Sequence, residues 1–327
     1  MVKPRKRWND VVMGETPKAP GFVPSPTGAQ WLISHGDQHA VIVEVGGGLR
    51  SYAVGGHDVV AGYPADADCA HGRGQVLMPW PNRLRDGRYV ADGAPQQLPI
   101  TEVARHNASH GLVRWALWEL VHQDTSSVEV RYRLHPQPGW PWHLDLGQIY
   151  RLGTDGLTVA VRAHNPSATP APFGFAAHPY AATHGAGADE VTLTIPAERY
   201  VTVDPERLLP TGSAEVAGSA YDFRAERVLG EPTLLDTAYT GLEREADGRW
   251  RVRVAAPAVT TAIWGGPGLD WVQVFSEKVA LPVDGTYPPG VAVEPMSCPA
   301  DAFNSGEDLV WIAPGGSWSA EWGIERG

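Results

Sequence analysis

Two titratable side chains stand at the ends of apolar runs and directly ahead of proline. His178 lies in Phe173-Gly174-Phe175-Ala176-Ala177-His178-Pro179-Tyr180, and Glu294 in Gly290-Val291-Ala292-Val293-Glu294-Pro295. Proline removes a ladder donor, so a strand does not continue normally through it, and both groups belong where a strand ends and a site can open. A carboxylate base facing an imidazole acid is the pair that opening and closing a sugar ring requires. The base takes the C1 hydroxyl proton and the acid protonates the ring oxygen. The C1–C2 bond then rotates, and the ring closes on its other face. That chemistry uses side chains alone, so neither a cofactor nor a metal is expected.

Other residues have the types needed to hold a polyhydroxyl ligand. Asn82 and Arg83 lie in Pro79-Trp80-Pro81-Asn82-Arg83-Leu84-Arg85-Asp86-Gly87-Arg88-Tyr89. An amide donates and accepts toward a vicinal diol, and a guanidinium presents a rigid fork of donors. His110 sits in Asn107-Ala108-Ser109-His110-Gly111, where the glycine allows close backbone approach. Asp236, in Leu234-Leu235-Asp236-Thr237, could equally serve a turn. Gln273 is a polar amide in the otherwise apolar Trp271-Val272-Gln273-Val274-Phe275, and something must satisfy it. For Arg83 the plain alternative is a surface salt bridge with Asp86, which suits Arg85 and Arg88 better.

In this order and spacing, the Asn82-Arg83 block, His110-Gly111-Leu112, His178-Pro179-Tyr180 and Val293-Glu294-Pro295 together resemble the aldose 1-epimerase (galactose mutarotase) family. The resemblance runs from about Gln75 to Trp322. It implies a large antiparallel β-sandwich of the galactose mutarotase-like type and a free aldose as substrate. Glu294 is then the base and His178 the acid on the ring-oxygen side. Asn82, Arg83, His110, Tyr180, Asp236 and Gln273 become the substrate-binding residues. The chain departs from the best-known galactose mutarotases at Ala181-Ala182-Thr183, where phenylalanine-asparagine-leucine is usual, and in Pro79-Trp80-Pro81 before Asn82. These features are similar to a bacterial branch that includes sulfoquinovose mutarotases. A sulfonate or phosphate would need further cations, for which Arg85, Arg88 and Arg114 are candidates. Two alternatives stand beside mutarotation: a non-catalytic sugar-binding or sensing protein on the same scaffold, and a hexose-6-phosphate or sulfosugar epimerase. A glycoside hydrolase would need a second carboxylate in a motif as distinctive as that of Glu294, and none is found.

The elements that must position these residues read as strands. Val128–Leu134, Leu157–Val161, Trp250–Val254 and Ser317–Ile324 alternate apolar and polar residues with period two. Asp155-Gly156, Asp247-Gly248 and Pro314-Gly315-Gly316 supply turns, and no long stretch has helical period. The expectation is an all-β antiparallel sandwich in one domain, residues 26–327, preceded by a proline-rich arm at 1–25. Thirteen tryptophans are mostly for packing, with one or two placed to stack on a sugar face.

Composition narrows the partners. No run of 18 apolar residues exists, so no membrane span is expected. The basic start, Met1-Val2-Lys3-Pro4-Arg5-Lys6-Arg7, lacks a following apolar stretch, so the expected location is the cytoplasm. Net charge is −11, and four of the basic residues lie in the first ten positions, leaving an acidic body that repels nucleic acid. Cys69 and Cys298 are expected as free thiols, Cys298 near the site through its closeness to Glu294 but serving packing. His35 and His39 do not form a helical metal pair.

Overall fold

The computed structural model describes residues 25–230, 234–276 and 287–326. The proline-rich arm expected at 1–25 therefore lies, apart from Ser25, outside the described residues.

Two large antiparallel sheets face each other. The nine-stranded sheet runs in the order Glu119–Gln123, Ser127–Leu134, Leu144–Gly153, Gly156–His164, Ser317–Arg326, Val259–Gly265, Trp250–Ala256, Thr192–Thr194 and Arg227–Val228. It contains all the segments that the alternation marked. Leu157, Val159 and Val161 point inward and are almost wholly buried, as are Val128, Val130 and Leu134. Each such side chain contributes roughly 1.5–3 kcal/mol by leaving water. Asp155 and Gly156 turn the chain between two of these strands, with Gly156 at φ +116°. A four-stranded sheet, Gln30–His35, Gln38–Val43, Leu49–Val54 and His57–Asp58, closes one flank. Helix among the described residues amounts to Ala302–Ser305 and a 3-10 turn at Val103–Arg105. The all-β expectation is met.

The second large sheet carries the site. Along Pro210–Glu215, Ala197–Val203, Asp236–Leu242, Trp271–Phe275, Gly290–Met296, Ala176–Ala177 and Val76–Leu77, its strands pair antiparallel, with Tyr180–Ala182 also paired to Gly290–Met296. Side chains alternate between its faces. Val272, Val274, Val291, Val293, Phe175 and Ala177 enter the main core between the sheets. The opposite face holds two small apolar groups. One is built on Leu77, Ala176, Ala238, Trp271 and Met296, the other on Ala61, Tyr180, Ala182 and Ala292. Between them runs a polar row.

Of the six tryptophans nearest the motifs, Trp80, Trp118, Trp140, Trp142 and Trp271 are buried, and Trp115 is 58% exposed. Cys298 is fully buried, with its sulfur against Gly174 where a Cβ would come within 2.5 Å of it. Its role is packing. Cys69 is buried too, and burial pushes its thiol up to about 12.

Candidate active site

Strand register brings the two motif residues together, although only His178 stands at a strand break. The strand of Glu294, Gly290–Met296, continues through Pro295, whose missing donor does not stop it pairing with Trp271–Phe275. Ala176 pairs with Met296 and Tyr180 with Ala292, so the register is the same on both sides of the gap and His178 lies opposite Glu294. Pro179 cannot donate to the ladder, and the His178 backbone turns aside: its N–H donates to the Gln75 carbonyl, while its own carbonyl accepts from Gly74 N–H. The imidazole remains over the floor. His178 Nε2 stands 3.3 Å from Glu294 Oε1, and both side chains are less than a tenth exposed. Across the next strand pair, Gln273 lies opposite Glu294, and Asp236 opposite Phe275.

Burial acts on this pair in opposite directions. Loss of hydration pushes the Glu294 carboxyl well above its ordinary range, nearby Asp236 adds to this, and Arg83 opposes it. Burial drives His178 down to about 3, assisted by the cations Arg114 and Arg73 and by His71. Within the pair, a single proton therefore favours Glu294. The remaining oxygen, Glu294 Oε2, is buried without a hydrogen-bond partner among the described residues, so it is an acceptor available to a ligand. The His178 ring is clamped. Tyr180 stacks on it at 5.2 Å between centroids and 16° between planes, His110 meets it at 5.7 Å and 72°, and Gly72 approaches so closely that a Cβ there would lie 3.0 Å from Cδ2.

The walls come from the Asn82-Arg83 block and its partner strand. Arg83–Arg85 pairs with Asn107–Ser109, Arg83 opposite Ser109. Asn82 and His110 follow at the ladder's end, both with positive φ (50° and 61°), and His110 N–H donates to the Asn82 carbonyl at 2.8 Å. These left-handed residues bend the strand ends out of the ladder. Gly111 is required beside them, because a Cβ there would come within 1.9 Å of the Met78 carbonyl. Arg83 Nε donates to both oxygens of Glu102, at 3.2 and 3.1 Å, and its Nη2 lies 3.5 Å from Asp236 Oδ2. Burial and the neighbouring Arg114, His178 and Arg83 hold His110 well below the usual histidine range, so it is neutral.

Asn82, Arg83, His110, His178, Tyr180, Asp236 and Glu294 thus line one cavity of about 450 Å3. Gln273 does not line it. Its Nε2 donates to Asp236 Oδ1 at 2.6 Å and so holds that carboxylate. Tyr180 contributes ring more than hydroxyl, since its O–H donates to the His71 carbonyl at 3.0 Å. Arg85 and Arg88 lie elsewhere: Arg85 Nε pairs with Asp301 at 3.4 Å, and Arg88 Nε donates to Gln97 at 2.8 Å. Asp301 and Asn304, which follow the Glu294 strand in sequence, hold this segment. Asp301 accepts from Arg85 N–H, and Asn304 donates to the Arg88 carbonyl. Asp86, offered as a partner for the arginines around it, is taken by Arg207 at 2.8 Å.

Further wall residues are Cys69 and Trp115, together with His71, Glu102, Arg105 and Phe275, which carry no sequence signal of their own. Arg114, noted only as an available cation, lines the cavity as well. Among the described residues no group of three or more His, Cys, Asp or Glu side chains is arranged to hold a metal ion.

The arrangement is a concave, polar-lined site with a buried imidazole–carboxylate pair on its floor, the form of a small-molecule site. Comparison with known proteins gives the class. Residues 29–325 match the family model for aldose 1-epimerase, and the chain belongs to that family. It is 34% identical over 286 residues to the uncharacterized protein YihR of Escherichia coli K12, covering 86% of this chain and 88% of that one. It is 33% identical to the galactose mutarotase of Rattus norvegicus over 165 residues, 48% of this chain and 47% of the relative. Among solved structures, an aldose epimerase homologue from C. elegans superposes with a TM-score of 0.77, at 18% identity and covering 91% of this chain and 99% of that one. A galactose 1-epimerase from Lactobacillus acidophilus gives 0.72, at 18% identity and 91% and 94% coverage. At such identities the structural likeness establishes the fold.

Proposed function

We propose that the protein is a mutarotase, an aldose 1-epimerase that interconverts the α and β anomers of a free aldose by acid–base ring opening. The observation that carries this reading is the His178–Glu294 pair, two buried titratable groups 3.3 Å apart on the floor of a polar-lined cavity. Glu294 takes the C1 hydroxyl proton while His178 delivers one to the ring oxygen, and the roles reverse as the ring closes. Protons are neither gained nor lost, so one proton held by the pair suffices. Burial favours its residence on Glu294, yet the reaction needs a carboxylate there. Arg83 supports the ionised form, and a sugar hydroxyl donating to Oε2 adds to that support. Each proton transfer contributes typically about 10²–10⁴-fold. Arg83 and Asp236 hold hydroxyls, Asn82 spans a diol, and neutral His110 donates or accepts without competing as an acid.

Arg114 favours a second reading within the same reaction, an aldose bearing an anionic group. Its guanidinium lines the cavity and makes no ion pair among the described residues, only contacts of 3.5 Å to Gln75 Oε1 and 3.4 Å to the Ser109 carbonyl. A half-buried cation without a counter-ion is costly unless a ligand supplies one. Polarimetry on freshly dissolved α-glucose, α-galactose, a hexose 6-phosphate and a 6-deoxy-6-sulfonate tests both readings. Faster anomerisation of any of them supports the mutarotase. A preference for the charged sugars that Arg114→Gln abolishes supports the second reading. No acceleration with any, together with binding, would shift the protein to a non-catalytic sugar-binding or sensing role.

A further inference from the structure

A long loop and a distant hairpin meet at the rim of the cavity. The hairpin joins Ala197–Val203 to Pro210–Glu215, about a hundred residues from the loop it touches. Its tip is organised from within. Asp204 Oδ1 accepts from the N–H groups of Glu206 and Arg207, Oδ2 accepts from Leu209 N–H, and Leu208 takes a left-handed φ of 54°. These donors hold the Asp204 carboxyl below its ordinary range, against some burial. A tip so constrained presents the Arg207 side chain in one direction.

Arg207 reaches the loop between Glu102 and His110, and Asp86 beside it. Its Nε donates to the Arg105 carbonyl at 3.1 Å. Its Nη2 lies 2.8 Å from the His106 carbonyl, 3.1 Å from Asn107 Oδ1 and 2.8 Å from Asp86 Oδ1. The Arg207 carbonyl in turn accepts from Asn107 Nδ2 at 3.0 Å. Asn107 is fully buried, and the same Nδ2 also donates to Glu102 Oε2 at 3.0 Å. Glu102 is the carboxylate that grips Arg83 through both oxygens. A continuous chain of hydrogen bonds therefore runs from the hairpin through Asn107 and Glu102 to the guanidinium beside Asp236.

We propose that Arg207 is a positioning residue for substrate binding, which fixes the 102–110 loop and through Asn107 and Glu102 sets the orientation of Arg83. The proposal rests on reading the cavity as a sugar site. Its physical ground is that a bidentate guanidinium contact is productive only when its direction is fixed, and Arg83 takes its direction from Glu102. Lysine cannot replace Arg207, because a point charge does not reproduce a fork that meets carbonyls of Arg105 and His106 together with a side-chain amide.

The test is steady-state mutarotation kinetics of wild type, Arg207→Gln, Arg207→Lys and Arg83→Gln, with the double variant Arg207→Gln/Arg83→Gln and a thermal melt for each. Arg199→Gln is the control on the same hairpin, since the polar partners of the Arg199 side chain among the described residues are Glu215 and Ser213. Arg207→Gln should raise KM about 10-fold with kcat within about 2-fold, and Arg207→Lys should do nearly the same. The double variant should be no worse than Arg83→Gln alone, because both act through one contact. Arg199→Gln should match wild type. A lowered melting temperature with unchanged KM, or multiplicative losses in the double variant, would overturn the proposal. If the wild type binds a sugar without turning it over, the mutarotase reading fails separately, and the same fold losses are then read in Kd by calorimetry.

Discussion

The floor and the rim of the cavity are built on opposite principles. On the floor, His178 and Glu294 are buried against each other, and among the described residues neither makes a salt bridge with an arginine or a second carboxylate. At the rim, Arg83, Glu102, Arg105, Asn107, Asp236 and Gln273 satisfy one another through a network of charge-assisted bonds, with Asp236 about a third exposed. The floor keeps proton affinities displaced and leaves an acceptor open. The rim spends its bonds on direction. Proton transfer needs groups whose charge can change cheaply, whereas hydroxyl recognition needs groups whose charge and position do not change.

The sharpest way to break this comparison is to disable the floor. Glu294→Gln and His178→Asn should each lower kcat by about 10² or more, with modest effect on sugar binding. The double variant should be far less than multiplicatively worse, since the two act as a unit. In the wild type, kcat/KM against pH should be a bell whose limbs belong to the pair jointly. Near-wild-type mutarotation by Glu294→Gln would end the mechanism.

The rim should fail differently. Arg83→Ala or Asp236→Ala removes a charged hydrogen bond to the sugar, costing roughly 1.5–3 kcal/mol, about 10–100-fold in kcat/KM and mainly in KM. A loss confined to kcat would mean that rim residues take part in proton transfer and that the division is wrong.

A third variant tests how tightly the floor is clamped. Gly72 has φ +75°, and a Cβ there would press on the His178 ring at 3.0 Å. Gly72→Ala should lower kcat by about 10-fold through a displaced imidazole and cost about 1–2 kcal/mol in stability. Unchanged kinetics would show that the ring position is not critical.

The smallest effect concerns stability against pH. The folded state raises the proton affinity of Glu294 above that of the unfolded chain. Its contribution is then fully present below the unfolded value of about 4.3 and is lost as pH rises through the folded value. Glu294→Gln removes that loss. The variant should melt higher than wild type at pH 8, with a smaller difference near pH 4. An equal difference at both would mean that burial does not hold the proton on Glu294.

The fold was largely legible because period-two alternation reports which face of a strand is buried, as at Leu157, Val159 and Val161. The meeting of His178 and Glu294 was only half legible: proline after His178 marks a break between two short strands, whereas the strand of Glu294, Gly290–Met296, runs on through Pro295, which still pairs with Val272. Gln273 was legible as a polar anomaly but not in its role: whether it meets sugar or Asp236 depends on a cross-strand neighbour that sequence does not name. Glu102 left no trace at all, since a lone carboxylate in a loop resembles any surface acid until Arg83 is seen beside it.

The order of residues by itself determined the strands and the turns and singled out His178 and Glu294 as titratable groups beside apolar runs, because backbone periodicity acts over a few residues. Tertiary structure alone decided that His178 stands opposite Glu294, that Asp86 pairs with Arg207 rather than with its sequence neighbours, and that Arg114 has no counter-ion among the described residues. Those outcomes depend on strand register and on contacts across a hundred residues or more, where geometry rather than local preference selects the partner.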